Sequence, residues 1–383
     1  MTAARKVFVL TGKRGGFGAM KPMLRLLRDR ANFHLQLVVT DQHVSDKFGR
    51  TIQEVEREFS VAAAVDMEQS DDSPKARAKA LGVCLQRMTD TLTELKPDIC
   101  VLYGDRGEVL ATATAATILG IPIAHLQGGD VSGSLDEQMR HAVTKLSHLH
   151  FPSTQESANR ILKMGEEDWR VHVVGDNHID LIVAGDYAKP DEVEAELGLD
   201  LSKPVIVVLQ HSETTQPSAA YSQMAETLKA VASTGHQAVV VHPCSDQGYE
   251  GILRAIDEFA PSPQFTVRVN LDAHLFWGLL SVASVMVGNS SAGLIETPTF
   301  RLPAINVGRR QIGRLCAENV IHAPHEEDAI SKALSVALSD AAFLQQVKAC
   351  RQPFGDGTAG IRIVELLGNI PLDQTLLVKR MTY

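Results

Sequence analysis

The sequence has no long hydrophobic run and no dense cluster of basic residues. Its apolar runs stay below the roughly 18 consecutive residues of a membrane-spanning helix, and the run after Arg5-Lys6 is too short for a signal peptide. With 37 Lys and Arg against 46 Asp and Glu, the formal net charge is −9, which argues against nucleic acid as a partner. We therefore expect a soluble, cytoplasmic protein with neither a membrane nor a nucleic acid as partner.

Cysteine is also scarce, and its five copies are scattered. They stand at Cys84, Cys100, Cys244, Cys316 and Cys350. The sequence contains no C-x-x-C pair and no close metal-ligand spacing. This usage fits a reducing compartment and predicts neither a disulfide framework nor a metal site. We expect no cofactor either.

Short apolar runs alternate with helical patterns in two series, which indicates parallel sheets with helical crossovers. The first series has strands predicted at Val7–Leu10, Leu35–Thr40, Ile99–Tyr103, Ile121–Leu126, Leu149–Phe151 and Val171–Val174, and helices at Pro22–Arg30, Lys75–Leu95 and Asp136–Leu146. The second has strands predicted at Val205–Leu209, Ala238–Val241, Phe265–Val267, Val285–Val287 and Ala304–Val307. Because 383 residues suffice for two domains, we predict two α/β domains with a hinge at Ala184–Pro190.

The segment from Val285 to Glu296 predicts a strand that leads through a small polar turn into a helix. The hydroxyls of Ser290 and Ser291, with the backbone N–H groups through Gly293, could hold a phosphate at such a helix start. The carboxylate of Glu296, about one turn later, could accept hydrogen bonds from a ribose diol. Phosphate and ribose together indicate a nucleotide. A well-capped crossover helix explains this segment, taken alone, equally well.

Two further predicted strands also end in polar residues. One leads into Gly104-Asp105-Arg106-Gly107-Glu108, and the other into Gln127-Gly128-Gly129-Asp130 and a polar stretch that continues to His148. In an open parallel sheet, ligands bind at the carboxyl ends of the strands. These strand ends should therefore share one functional edge.

The chain resembles the hydrolysing UDP-N-acetylglucosamine 2-epimerases, which begin sialic acid and related nonulosonic acid biosynthesis. The matching segments, in family order, are Gly104-Asp105-Arg106, Gly128 to Gly133, Asp136 to His148, Gln210-His211, Gly288 to Glu296, Asn306 to Asn319 and Gly355-Asp356-Gly357. The resemblance implies a GT-B fold, in which two doubly wound, Rossmann-like domains face each other across a cleft. It also implies a first domain over 1–183, a second over 184–355, terminal helices over 356–383 that cross back to the first domain, and a homodimer formed through first-domain helices.

By the same resemblance, the chain removes UDP from a UDP-2-acetamido sugar by elimination to a glycal, and hydration then releases the free 2-epimeric sugar. This chemistry needs a general base, an acid–base pair and neutralisation of the leaving diphosphate. We expect Asp105 and Asp136 to be the acid–base carboxyls and His211 to hold the diphosphate or protonate it. From the sequence alone, Asp136 reads equally well as a helix N-cap, and a lone strand-end histidine is more often structural than catalytic.

The remaining candidates are expected to bind substrate. They are Arg14, Glu108, Gln127, Asp130, Arg140, His242, Asn289, Ser290, Ser291, Gly293, Glu296, Arg310 and Arg314. Arg14, Arg310 and Arg314 follow strand ends and could offset the diphosphate charge, although most arginines are solvated surface residues.

The chain departs from the family's motifs near two histidines. After His211, Ser212 takes the position of the proline in the family's His-Pro-x-Thr-Thr pattern. After His242, Cys244 takes the position of an asparagine.

Two other departures bear on the substrate. The first loop reads Arg14-Gly15-Gly16 where the family has Arg-Ala-Asp or Arg-Ala-Glu, and Gln127 stands where the N-acetylglucosamine-specific members have Glu. Gln127 cannot titrate, but it can donate and accept hydrogen bonds. Either the chain has lost activity, or it acts on another sugar. Gln here resembles the branch that hydrolyses UDP-N,N′-diacetylbacillosamine on the way to legionaminic acid.

We favour that substrate over UDP-N-acetylglucosamine, whose product would be N-acetylmannosamine. Two alternatives come from other functional classes: a GT-B glycosyltransferase and a catalytically silent protein that binds nucleotide sugars. A transferase needs an acceptor site and does not require the pair Asp105 and Asp136, whereas a silent protein binds a UDP-sugar without turnover.

Overall fold

The computed structural model describes residues 4–46, 50–71, 73–131, 135–213, 215–244, 246 and 248–382, apart from the side chain of Leu135. The chain divides into two compact units. The first unit contains the described residues up to Leu181 and those from Phe354 onward, and the second unit is Ile182–Pro353. Within the described ranges, every helix is too short or too polar to cross a membrane.

Each unit is built on a six-stranded parallel sheet. The strands of the first sheet are β1 (Arg5–Thr11), β2 (Phe33–Thr40), β3 (Val61–Val65), β4 (Ile99–Tyr103), β5 (Ile123–Leu126) and β6 (Leu149–Phe151). Those of the second are β7 (Val205–Leu209), β8 (Gln237–Val241), β9 (Phe265–Arg268), β10 (Val285–Gly288), β11 (Ala304–Val307) and β12 (Val320–Ala323). The sheet orders are β3-β2-β1-β4-β5-β6 and β12-β11-β10-β7-β8-β9. Both are the doubly wound, Rossmann-type order.

Helices connect the strands and complete the chain. They are α1 (Arg14–Asp29), α2 (Ile52–Glu56), α3 (Pro74–Leu95), α4 (Gly107–Ile118), α5 (Leu135–Leu146), α6 (Gln155–Lys163), α7 (Asn177–Val183), α8 (Pro190–Leu197), α9 (Ala220–Ser233), α10 (Tyr249–Phe259), α11 (Ala273–Val282), α12 (Ala292–Ile295), α13 (Glu327–Ser339), α14 (Ala341–Ala349), α15 (Ala359–Asn369) and α16 (Gln374–Leu377). The start of α15 is held in the first unit by Asp180, whose carboxylate accepts the N–H groups of Ala359 (2.9 Å) and Gly360 (2.6 Å).

The central strand β1 shows why the first sheet is covered on both faces. Val7 and Val9 lie in one buried cluster, and Phe8 and Leu10 lie in another. Successive side chains of a strand point to opposite faces of the sheet, so a continuous apolar run suits a strand that is buried on both sides. The short run at β1 is therefore enough to anchor two hydrophobic layers.

Some elements differ from the sequence prediction. Val171–Val174 is not a strand, because only Val171 pairs, through an isolated parallel bridge to His150. Two strands were missed: β3 is rich in alanine, and β12 carries a histidine, so neither shows a strong strand pattern. The helix after β10 is a single turn, and Glu296 comes directly after it.

The strand order reverses once in each sheet, and each reversal marks a topological switch point. In the first unit the order reverses between β1 and β4, and in the second it reverses between β7 and β10. Crossover helices leave to opposite faces at such a switch point, and a crevice opens outside the carboxyl ends of the two strands. Asp105 follows β4, His211 follows β7 and Asn289 follows β10, so these predicted site residues lie at switch points.

Candidate active site

At the first-unit switch point, carboxylates gather around Arg140 of α5. One guanidinium nitrogen of Arg140 forms an ion pair with Asp105, and the other donates to the backbone carbonyl of Gln127 (2.9 Å). That second nitrogen also lies 3.7 Å from an oxygen of Asp130. Arg140 exposes only 7% of its side chain, so its charge sits in a poorly solvated position. Arg140 thus brings together three other predicted site residues: Asp105, Gln127 and Asp130.

Asp136 is the second residue of α5, within its first turn. Burial raises the pKa of its carboxyl, and the negative charge of Asp105 raises that pKa further, against the smaller opposing effects of nearby cations. Asp105, in contrast, carries the direct ion pair with Arg140. The two predicted acid–base carboxyls therefore have different environments: Asp105 is paired with a cation, and the raised pKa of Asp136 favours its protonated form.

Glu108, at the start of α4, is buried beside Arg106. The Arg106 guanidinium lies 3.0 Å from Glu108 and 2.8 Å from Asp41. Burial raises the pKa of Glu108; the charge of Arg106 opposes this, and that of Asp41 adds to it. Arg106, Asp41 and Glu108 thus form a network of one cation and two acids. Neither Arg106 nor Asp41 was among the predicted site residues.

The turn after β5 depends on a glycine. Gly129 has φ +76°, and a Cβ there would lie 2.2 Å from the carbonyl oxygen of Ser157. This close approach brings Asp130 to α6, where its carboxylate accepts a hydrogen bond from the Ser157 hydroxyl (2.6 Å). Gln127, before the glycines, donates from its side-chain amide to the buried carboxylate of Asp176 (2.9 Å).

At the second-unit switch point, Asn289 fixes the backbone of His211. Its amide oxygen accepts from the N–H of His211 (2.7 Å), and its amide nitrogen donates to the His211 carbonyl (2.9 Å). Gly288, just before it, has φ +136°, and a Cβ there would lie 2.1 Å from the Leu209 carbonyl. Asn289 was predicted to bind substrate, but both ends of its amide already serve to position His211.

The His211 ring lies against Cys244 and Asp246. Its Nδ1 is 3.1 Å from both the backbone nitrogen and the Sγ of Cys244, and that Sγ is 3.2 Å from Asp246. Burial lowers the pKa of His211 to about 4, helped by the charge of Arg310 and opposed by Asp246. Burial likewise raises the pKa of the Cys244 thiol to about 11. His211 is therefore neutral at pH 7, and Cys244 is a thiol.

These three side chains are also the group best arranged to hold a metal in the described part of the chain. Their ligand atoms lie within 4.8 Å of one another. Imidazole, thiolate and carboxylate together suit a soft cation such as Zn²⁺. However, Arg310 lies 3.5 Å from Asp246, and a nearby positive charge opposes cation binding. The cluster is better described as a hydrogen-bonded group that holds His211 in place.

The loop after β11 supplies two further contacts to this switch point. Arg310 (3.2 Å) and Gln311 (2.8 Å) both donate to the backbone carbonyl of Asn289. Arg314 donates to the side-chain oxygen of Gln311 (2.9 Å). Arg310, predicted to offset the diphosphate charge, thus contacts the same residue, Asn289, that positions His211. Gln311 was missed because a single buried glutamine carries no motif.

The predicted phosphate segment has a shorter helix than the sequence indicated. The N–H of Gly293 already donates to the Ser290 carbonyl (3.1 Å), and that of Ala292 lies 3.4 Å from the Ser290 hydroxyl. Because α12 is one turn long, its macrodipole is small, and an anion would be held mainly by hydrogen bonds. One oxygen of Glu296 accepts from the indole N–H of Trp277 (2.9 Å), which fixes the direction of its carboxylate.

Two predicted residues have other local roles. Arg14 pairs with Glu54 (2.5 Å) at the surface of the first unit, with 55% of its side chain exposed. The backbone N–H of His242 donates to the Arg268 carbonyl (3.0 Å) and so extends the pairing of β8 with β9. Asp176, which holds Gln127, was missed, because a single Asp after a glycine gives no signal in one sequence.

Comparison with known proteins shows the family of this chain. A family model described as UDP-N-acetylglucosamine 2-epimerase matches residues 25–368. The chain is 33% identical over 380 residues to the hydrolysing UDP-N,N′-diacetylbacillosamine 2-epimerase of Legionella pneumophila, which covers 99% of this chain and 100% of that protein. It is 30% identical over 335 residues to the UDP-N-acetylglucosamine 2-epimerase of Neisseria meningitidis, covering 88% of each.

The fold is similar to that of a solved structure. The crystal structure of UDP-GlcNAc 2-epimerase from Neisseria meningitidis bound to UDP-GlcNAc superposes with a TM-score of 0.83 at 18% identity, covering 94% of this chain and 99% of that one. Together with the two six-stranded parallel sheets, this similarity confirms the predicted α/β fold of the GT-B type.

Proposed function

Because the chain belongs to the UDP-N-acetylglucosamine 2-epimerase family, we propose that it is a hydrolysing 2-epimerase of a UDP-linked 2-acetamido sugar. It converts the UDP-sugar and water into UDP and the free 2-epimeric sugar, for nonulosonic acid biosynthesis of the legionaminic or sialic type. The observation that carries this proposal is the pair of carboxyls Asp105 and Asp136: Asp105 forms an ion pair with Arg140, and its negative charge contributes to the raised pKa of Asp136. The reaction needs no cofactor.

The two carboxyls have complementary roles in this proposal. Asp105 takes the proton from C2 while UDP leaves C1, which gives the glycal. Asp136 returns a proton to the other face of C2, and water adds its hydroxyl to C1. Inversion at C2 requires removal and return of the proton on opposite faces, so two separate groups serve it better than one. The ion pair of Asp105 with Arg140 and the raised pKa of Asp136 suit this division into base and acid.

We assign UDP to the second unit. Ser290 and Ser291 lie at the turn after β10, and Glu296 presents a carboxylate oriented by Trp277 for the ribose hydroxyls. His211 is half-buried and neutral, and the positive charge of Arg310 helps to lower its pKa. A neutral imidazole and a guanidinium can both donate hydrogen bonds to the departing diphosphate.

We propose UDP-N,N′-diacetylbacillosamine as the preferred substrate. Gly15 lies in the first turn of α1, and in the described part of the chain a Cβ built there meets no atom within 4 Å, whereas a Cβ at Gly16 would lie 3.5 Å from the Tyr103 ring, so the space is at Gly15. Gln127 offers a neutral amide, which can both donate and accept hydrogen bonds, where the N-acetylglucosamine-specific members have Glu. The Legionella pneumophila relative, named for this substrate, matches over the full chain and supports the choice. UDP-N-acetylglucosamine is the alternative, supported by the Neisseria meningitidis relative.

One assay tests the proposal and its alternatives. Purified protein is incubated in D₂O with each UDP-sugar, and free UDP, the free sugar and deuterium at C2 are measured. We expect UDP and a 2-epimer deuterated at C2, with a 10- to 200-fold higher kcat/KM for the 2,4-diacetamido sugar, as one polar contact or a few packed atoms can provide. Release of UDP only with an added acceptor would indicate a glycosyltransferase, and binding without turnover a silent protein. Equal efficiencies would remove only the substrate choice.

We further propose a homodimer formed through helices of the first unit. Ile118, at the end of α4, exposes 83% of its surface, and the adjacent Leu119 exposes 38%. Exposed apolar residues on a helix end suit a protein interface. Light scattering after gel filtration should give twice the chain mass, and Ile118→Lys should shift it toward the monomer.

We also propose a cytoplasmic location. All five cysteines are free thiols, which fits a reducing compartment.

A further inference from the structure

The backbone of Gln127 is clamped in an unusual conformation. Its φ is +59°, in the left-handed region that residues other than glycine rarely adopt. Its N–H donates to the Phe151 carbonyl (3.2 Å), and its carbonyl accepts from Arg140 (2.9 Å). With both backbone groups occupied, the direction in which the side chain leaves the chain is fixed. Strain of this kind is typical of functional positions that the surrounding structure over-determines.

The side chain of Gln127 contacts the carboxylate of Asp176, whose side chain is 1% exposed. Its Oδ2 accepts from the Gln127 amide (2.9 Å), and its Oδ1 accepts from the backbone N–H (2.9 Å) and the ring Nδ1 (2.8 Å) of His178. Burial alone would raise the pKa of Asp176, but the His178 contacts and the Gln127 hydrogen bond outweigh it, so the pKa is lowered. Asp176 is therefore ionised at neutral pH.

An ionised carboxylate only accepts hydrogen bonds, so it selects one orientation of a neighbouring amide. The NH₂ group of Gln127 must face Asp176, and the carbonyl Oε1 must face away from it. The mechanism described above does not use Asp176.

We propose that Asp176 is a positioning residue that locks Gln127 with its carbonyl toward the sugar, as an acceptor for the N–H of the acetamido group at C4. The inference rests on the proposed function and deepens it. A hydroxyl both donates and accepts, so a 4-hydroxyl sugar can bond either face of the glutamine amide. An amide N–H only donates, so a 4-acetamido sugar needs the carbonyl face. Locking the amide therefore matters for one substrate and not for the other.

The test compares two substrates in four variants. For each protein, kcat/KM is measured with UDP-N,N′-diacetylbacillosamine and with UDP-N-acetylglucosamine, and the ratio of the two is the readout. Asp176→Asn lets the Gln127 amide turn over, so the ratio should fall about tenfold or more. General structural damage would lower both efficiencies and leave the ratio unchanged. Ser153→Ala is the matched control: its hydroxyl lies 3.5 Å from the same Asp176 oxygen, and its loss should keep the wild-type ratio.

A double variant tests whether Asp176 acts through Gln127. If it does, Gln127→Leu with Asp176→Asn should give the same ratio as Gln127→Leu alone, because the amide that Asp176 orients is gone. Gln127→Leu, which has no acceptor, should lose the preference whether or not Asp176→Asn folds.

The outcomes separate this inference from the proposed function. If the wild-type protein turns over neither sugar, or shows no preference, the proposed function or its substrate is wrong. If the wild-type preference exists but Gln127→Leu keeps it, Gln127 does not read the 4-acetamido group. If Gln127→Leu loses the preference and a folded Asp176→Asn keeps it, Asp176 does not position the amide.

Discussion

Among single residues, Asp105 and Asp136 offer the most direct test of the chemistry. Changing either to Asn keeps the size of the side chain and removes its titration. We expect turnover to fall by roughly 10²-fold or more in each variant, while UDP affinity stays near that of the wild type. Because the pKa of Asp136 is raised, the wild-type rate should decline as pH rises through that pKa and Asp136 loses its proton. The Asp136→Asn variant should lack this decline.

Glu137→Gln is the matched control for this prediction, since Glu137 is the next acidic residue of α5 and pairs with His141 (3.6 Å) instead. It should keep both the rate and the pH profile. Survival of turnover in both Asp105→Asn and Asp136→Asn would place the base elsewhere.

Nucleotide binding is tested by a pair of variants that address different parts of UDP. Ser290→Ala and Glu296→Ala should each weaken UDP binding in calorimetry, by about 1–3 kcal/mol for a hydrogen bond to a charged group. Ser290→Ala should also weaken competition by pyrophosphate, which has no ribose. Glu296→Ala should leave that competition unchanged. Unchanged UDP affinity in both variants would contradict the assignment of UDP to this turn.

Local sequence found some of these residues and missed others for a physical reason. Asp105, Gln127 and Asp130 directly follow apolar strands, and strand ends are where parallel sheets bind ligands. Asp176 reaches Gln127 from 49 positions away, so no local pattern reveals it. Asn289 was found by its motif, but its role in fixing His211 depends on contacts across 78 positions. The sequence thus locates side chains near a site better than it defines their function.

At the scale of secondary structure elements, Arg170 holds the last helix, α16, against the rest of the first unit. It is fully buried and donates to the carbonyls of His148 (3.1 Å), Leu376 (2.7 Å), Thr375 (3.0 Å) and Val378 (3.1 Å). The planar guanidinium supplies enough donors for these acceptors, whereas a lysine ammonium has three donors in a different geometry.

We therefore expect Arg170→Lys to destabilise the first unit by about 2–5 kcal/mol, because it leaves buried acceptors unsatisfied. Amide hydrogen exchange should rise in residues 374–382 before it rises in the sheet. Arg28→Lys is the control, since Arg28 is 43% exposed and pairs with the adjacent Asp29. Equal amide hydrogen exchange at 374–382 in Arg170→Lys and in the wild type would show that Arg170 does not hold the last helix in place.

Elements with a strong apolar pattern were predicted well, and weak ones were not. Ile99–Tyr103 and Val205–Leu209 were predicted with the bounds that the structure has. The missed strand β3 reads Val-Ala-Ala-Ala-Val, and alanine favours strands poorly. The predicted strand at Val171–Val174 has a suitable local pattern but pairs at one residue only. Pairing is decided by neighbours in the sheet, and one sequence does not contain that information.

At the scale of the whole molecule, the two units share one strand order and use it in the same way. Each places a cluster of polar side chains at the carboxyl ends of its strands: around Asp105, after β4 and β5, in one unit, and around His211, after β7 and β10, in the other. Function follows from the position of these clusters in the topology, and the chemistry follows from their residues: acids in the first unit, a neutral histidine with a cation in the second.

The first unit also buries several histidines, and this makes its stability depend on pH. Burial lowers the pKa of His125 to about 3 and that of His148 to about 4, and it lowers the pKa of His150 as well. Between pH 6.5 and about 4 the rings of His125 and His148 stay neutral in the folded state, whereas the unfolded chain takes up protons. The folded state is therefore favoured fully above pH 6.5, and this stability is lost as the pH falls.

For each such ring, the free energy of unfolding should fall by about 1.4 kcal/mol per pH unit through this window. Calorimetry at pH values from 7 to 4.5, above the range in which most carboxyls titrate, should show the melting temperature of the first unit falling steadily. His125→Gln removes one titrating ring and should reduce this slope, even if it lowers stability at pH 7. His34→Gln changes an exposed histidine and should leave the slope as it is. A melting temperature independent of pH over this range would mean that these rings are not held neutral by burial.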